Sequence, residues 1–192
     1  MKKTVQKGCY LYLKYGQRRE IIKTVLMYAL ALSIYAIGYI NLHTNKSLFT
    51  VIAILGILPA SKSAVQMIMF LRFHSLKKEE YEEFSQHTGN LDTLYEMVFT
   101  TTEKSYYVPN LVYTNGTLCM LCNKSEEELH KLEKHIRETL EKDGFQNILV
   151  KAFQKKDTYL KRVDELNSHF ALEKHCEEPG QKLFATLRAV AL

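Results

Sequence analysis

Few side chains in this sequence could do chemistry, and they are scattered. Cys119 and Cys122 have the Cys-x-x-Cys spacing of zinc knuckles and thiol redox motifs. His130, Glu133 and His135 offer two imidazoles and a carboxylate on one short segment. Lys62 and Gln66 stand inside a long apolar run, and an ionisable group in such a place marks an ion or substrate path by default. Each has a plainer reading. The cysteines fall in the strand-like run TLCMLC, where residues i and i+3 point to opposite faces. A zinc knuckle needs a turn there and a second ligand pair, and only His175-Cys176 could supplement it. Two small core residues in a reducing compartment account for the pair. The histidines and Glu133 read as a solvated helix face. No P-loop, Rossmann fingerprint, HExxH or GxSxG pattern occurs. The sequence therefore predicts no catalytic residue, no metal site and no cofactor.

The elements that would position these groups start with two apolar stretches, Ile21–Ile40 and Leu48–Phe73, separated by the polar segment 41–47. Each exceeds the roughly 20 residues that a helix needs to cross a hydrocarbon core. Lys and Arg crowd the outer flanks and nearly avoid the connection, so a transmembrane hairpin is expected over 21–73, with spans of about 21–41 and 48–68 and both flanks cytoplasmic. The basic, aromatic segment 1–20 is expected to lie along the inner leaflet. Gly56, Ala60 and Ala64 recur every four residues as a small-residue packing stripe, which Ala29, Ser33 and Ala36 could face, within the hairpin or in a homo-oligomer. Counting outward from a turn near Asn45 puts Lys62 only ~6 Å from the cytosolic interface, within snorkelling reach. Pro59 is expected to kink the second span.

Charge divides at the same place. Residues 1–72 carry ten Lys/Arg and one acid, a net +9; residues 73–192 carry 16 bases and 20 acids, a net −4. The overall +5 thus belongs to the membrane-flanking half, and the remainder is a poor electrostatic match to phosphate backbones. Membrane lipids are expected partners; nucleic acid is not.

Residues 74–192 read as one cytosolic α+β domain. The second span is expected to run on as a helix through MIMFLRFHSLKKEEYEEFSQ to the stop at Thr88-Gly89-Asn90. Strands are predicted over Thr93–Thr102, Tyr106–Thr114 (with an edge or bulge at Pro109), Thr117–Cys122 and Ile148–Phe153, the second and third joined by an Asn115-Gly116 hairpin turn. A helix follows a capping Ser125, with Leu129, Leu132, Ile136 and Leu140 on its apolar face. A second covers Asp157–Phe170, then a turn at Glu177–Gly180 and an apolar segment, Lys182–Leu192, too short to span. The fold expected is a membrane-anchored α+β protein with an α-β-β-β-α-β-α sandwich.

The order α-β-β-β-α-β resembles the core of restriction-endonuclease-like nucleases. In that family an Asp on the second strand and a Glu-x-Lys on the third hold a metal ion and activate water. Laid over VPNLVYTNGTLCMLCNK, the resemblance puts Asn110 near the Asp, Cys122 at the Glu and Lys124 at the Lys. Both metal-binding carboxylates are missing, so it implies a non-catalytic descendant. The leading expectation is an integral membrane protein that tethers a small cytosolic binding or scaffold domain for an unidentified protein or membrane partner. Two other readings stand beside it: a degenerate or otherwise unrecognised enzyme domain on the anchor, and a small oligomeric channel or transporter accessory using Lys62.

Overall fold

A computed structural model of the chain describes residues 6–42, 48–89, 91–101, 103–170 and 178–192. Among the described residues it contains six helices and one four-stranded sheet, in two compact units. One unit is Leu13–His74; the other joins the described part of Met1–Tyr12 to Ser75–Leu192.

The first unit is a pair of long helices, α1 (Tyr12–Leu42) and α2 (Leu48–Leu71). Both are long and apolar enough to cross a membrane by length and composition, with window mean hydropathies of 1.8 and 1.7. The expected connection over 43–47 lies outside the described residues. α1 starts well before the apolar run, so residues 12–20, expected as a leaflet-lying segment, continue the helix. α2 passes through Pro59 without a break and ends at Leu71, and the single helix expected across residues 67–86 is interrupted there. Gln17 explains the stop. Its Nε2 donates to the carbonyls of Phe70 (2.9 Å) and Phe73 (2.6 Å), satisfying acceptors that another helical turn would have used.

The second unit is built on an antiparallel meander, β1 (Asp92–Thr100), β2 (Ser105–Thr114) and β3 (Thr117–Leu121), with β4 (Leu149–Phe153) parallel to β3, in spatial order 1-2-3-4. The β2–β3 turn has both Asn115 and Gly116 at positive φ (42° and 75°), as a type I′ turn requires and few other residue pairs tolerate. The parallel β3–β4 pair needs a crossover, supplied by α4 (Glu126–Lys142). Ser125 takes the extended N-cap conformation, but its side chain makes no capping bond. The first-turn acids Glu126, Glu127 and Glu128 remain to complement the positive end of the helix dipole.

Helices cover both faces. α4 and α6 (Glu178–Val190) enclose a core of Leu94, Met97, Leu111, Leu118, Met120, Leu132, Ile136 and Leu183. α3 (Lys78–Thr88) and α5 (Lys156–Phe170) enclose the other, with Phe84, Val112, Cys119, Tyr159 and Val163. The final helix is the difference from the expected order: residues 178–180, expected in a turn, are its first turn. A break in strand alternation comes where Pro109 predicts it. Register steps from Tyr95↔Asn110 to Met97↔Val108, passing over Pro109 and Glu96, whose φ is +53°. Val108 and Leu111 consequently share one core while Asn110 turns to the other side.

Both sheet edges are guarded. On β1, the Gly8 carbonyl accepts from Tyr95 N–H (2.9 Å) and Leu192 N–H donates to the Val98 carbonyl (2.9 Å). Gly8 lies at φ +85°, and a Cβ there would sit 2.6 Å from Leu94, so only glycine fits this strap. Tyr10 stacks on Tyr81 with centroids 4.2 Å apart. On β4, the outward-facing Ala152 N–H donates to Glu133 Oε1 at 2.7 Å. The unpaired groups of an edge strand otherwise template aggregation.

Candidate functional site

Within the helical hairpin, the buried positions step by alternating threes and fours. On α2 they are Ala53, Ala60, Ser63 and Phe70, with Gly56 and Met67 half-buried between them; on α1 they are Leu13, Gly16, Thr24, Ala31 and Gly38. This is the seam of a left-handed helix pair. Ala60 is fully buried and a Cβ on Gly56 would lie 3.7 Å from the Ala31 Cβ, while Ala64 is half-buried. Ala29, Ser33 and Ala36, expected to face that stripe, are exposed, and Ala31 and Gly38 take their place. A strict four-residue repeat winds off the seam by ~40° per step, whereas alternating three and four stays on it. Ser33 donates instead to its own helix, to the Ala29 carbonyl at 2.7 Å.

One group of polar contacts in the hairpin lies towards its outer flanks. Thr24 and Ser63 share a buried hydrogen bond of 3.0 Å, and Lys23 Nζ reaches Gln66 Oε1 (3.5 Å) and Glu20 (3.4 Å). Lys62 is exposed on the outer face. Gln66, paired with Lys62 in the sequence reading, therefore belongs to a different cluster.

In the α/β unit, Cys119 and Cys122 point to opposite faces of the sheet, one in each core. Burial pushes the Cys122 thiol up to about 11 and raises that of Cys119, against the lowering influence of Arg162 and Lys151. Among the described residues no three His, Cys, Asp or Glu side chains gather as a metal site; His175 and Cys176 lie outside them. His130 Nδ1 is 3.4 Å from Glu133 Oε2, but Glu133 is committed to the β4 edge. His135 is half-buried in α4.

The nuclease-like positions do not converge. Asn110 faces α5, where its Oδ1 accepts from the Tyr159 hydroxyl at 2.5 Å in a fully buried pair. Cys122 faces the α4 side, and Lys124 is exposed beyond β3. Extending the β2–β3 register, the residue opposite Asn110 is Leu121, which offers no ligand atom. Glu96 is the buried carboxylate of this sheet; it accepts from the Ser75 hydroxyl and from Leu76 N–H (2.9 Å), so it is already used in tying down the segment before α3.

What the sequence reading missed is a groove where β4 meets α5. A cavity of about 380 Å³ opens there. Because β4 is parallel to β3, Thr117 and Cys119 share a face with Leu149 and Lys151, and that face is only partly roofed by α5. Leu149 stays 56% exposed, an unusual state for an apolar strand residue in this unit. α5 adds Lys161 and Arg162 from consecutive positions. Arg162 donates to Glu165 at 2.7 Å and also reaches the Cys119 sulfur; the Glu165 hydrogen bond is the main reason its already high pKa rises further. Lys151 lies 5.7 Å over the Phe153 ring. Neither Lys151 nor Lys161 has a carboxylate partner among the described residues. The signal was present as a lone lysine, Lys151, in the apolar run ILVKAF and as Lys161-Arg162, but their convergence depends on the parallel register.

No family model matches the chain, and no curated protein or solved structure matches it.

Proposed function

We propose that the chain anchors a small binding or scaffold domain to a membrane, through a hairpin of α1 and α2 with both flanks on the cytosolic side. One observation carries this reading: along their apolar runs the two helices bury mainly small and hydroxyl residues and expose most of their large apolar ones. Ile22, Val25, Leu26, Leu30, Leu32, Leu55 and Leu58 are each 57–68% exposed, while Ala31, Ala53, Ala60 and Ser63 are 4% or less. In water, that much contiguous apolar surface marks a site that something else must cover. Hydrocarbon covers it at no cost, and small residues then let the helix backbones approach. The excess of Lys and Arg on the outer flanks supports the orientation. Tethering raises the local concentration of the α/β unit for anything at the same leaflet.

The test is fractionation of cells producing the full chain, followed by topology mapping. The chain should stay in the membrane after alkaline carbonate washing. In a Ser47→Cys variant, an impermeant maleimide should label the introduced thiol in intact cells and Cys9 only after permeabilisation. Release by carbonate would remove the tether; the opposite labelling pattern would invert the topology.

A further inference from the structure

We propose that the groove between β4 and α5 binds a phosphomonoester dianion attached to an apolar body. This rests on reading the α/β unit as a binding module and gives that module a ligand class. Charge comes first. Residues 73–192 carry a net −4, yet this groove gathers Lys151, Lys161 and Arg162 against a single acid, Glu165. Arg162 is engaged by that acid, so two ammonium groups line the groove without a carboxylate partner among the described residues. Two uncompensated cations facing one groove, Lys151 from β4 and Lys161 from α5, repel each other, and a dianion relieves that cost where a monoanionic carboxylate relieves half of it. The Thr117 and Thr158 hydroxyls line the same groove and can donate to phosphoryl oxygens.

Shape supplies the second argument. Leu149 and Phe153 provide an apolar wall on the same strand as Lys151, and about 380 Å³ is within the range of small-molecule sites. An added peptide strand is the rival occupant of any sheet edge, but Glu133 already takes the outward Ala152 N–H of β4. One edge donor is taken while the face beside it is open, and this favours a compact ligand.

The phosphomonoester could be free in solution or a lipid headgroup. Titration calorimetry on the full chain in neutral detergent tests the shared chemistry, with phenyl phosphate as probe and inorganic phosphate and benzoate as controls. Phenyl phosphate should bind at least about tenfold more tightly than either control, and Lys151→Gln or Lys161→Gln should each weaken it by about tenfold. Both lysines are surface groups, so an unchanged Tm verifies that the variants fold. Competition from phosphatidic acid doped into the micelles would identify the membrane as the source; undiminished binding would identify a soluble ligand. Equal affinity for phenyl phosphate in the Lys151→Gln/Lys161→Gln double variant, or no heat of binding up to millimolar probe, would overturn the proposal. A chain that resists carbonate extraction yet ignores phenyl phosphate loses this ligand and keeps its tether.

Discussion

The hairpin and the α/β unit solve burial in opposite ways. In the α/β unit, fully buried positions go to Tyr106, Phe99, Leu118, Met120 and Leu132, and the surface is charged. Along the apolar runs of the hairpin, from Thr24 to Gly38 and from Ala53 to Ser63, alanine, glycine, threonine and serine are inside and leucine and most isoleucines face out, with larger side chains buried only towards the outer ends, at Leu13 and Phe70. The same apolar side chain is thus core in one unit and surface in the other. On the proposed membrane-anchor reading, the difference lies in the solvent that each unit is built for. Water drives large apolar groups together, whereas hydrocarbon offers them no such gain and leaves close packing and hydrogen bonding to hold helices. The buried Thr24–Ser63 bond is of the kind that second regime favours.

The comparison is broken most severely by reversing the outer face of the hairpin. Arginine near mid-span costs about 2.5–3.5 kcal/mol in insertion. Leu30→Arg combined with Leu58→Arg should therefore move the chain out of carbonate-washed membranes, measured by fractionation. In a water-facing protein the same exposed positions would tolerate arginine.

Next in size is a deletion in the α/β core. Leu118→Ala removes a fully buried side chain between β3 and α4 and should cost about 2–5 kcal/mol, read as a lower midpoint in denaturant, with membrane retention unchanged. Smaller still is overpacking of the hairpin seam. Ala60→Leu should cost about 1–3 kcal/mol, while Ala29→Leu, on the exposed face, should stay within about 0.5 kcal/mol. Helix association measured in micelles separates the two, and equal effects would return the packing face to the four-residue stripe.

The smallest effect at neutral pH concerns the cysteines. Cys122 holds its proton to about 11, against an ordinary 9.0, so the unfolded chain releases that proton first. Its contribution to stability is complete below pH 9 and falls away as the pH rises from 9 to 11. Iodoacetamide at pH 8 should alkylate exposed Cys9 and spare Cys119 and Cys122 until the chain is denatured, with products read by mass spectrometry in a Cys176→Ser background.

Much of the fold was legible because it rests on local signals. Asn115-Gly116 marked its turn, Pro109 marked the missing pair between β1 and β2, and the spacing of Leu129, Leu132, Ile136 and Leu140 marked the buried side of α4. Less of the candidate site was legible. The four-residue stripe shared Gly56 and Ala60 with the packed face, but Ala29, Ser33 and Ala36 needed the relative rotation of two helices, which no single segment encodes. Gln17 gave no hint that it ends a helix more than 50 residues away.

By itself, the sequence determined the presence and apolarity of two long helices, the division of charge, and the order of the strands and helices from β1 to α5. All of these follow from residue spacing within one segment. Tertiary structure alone decided where α2 stops, that Asn110 and Cys122 face opposite cores, that Glu133 takes an edge donor of β4, and that Lys151 lines one groove with Lys161 and Arg162. Those pairings join residues distant in sequence, and parallel register and helix rotation set them, because both are fixed only when whole elements pack.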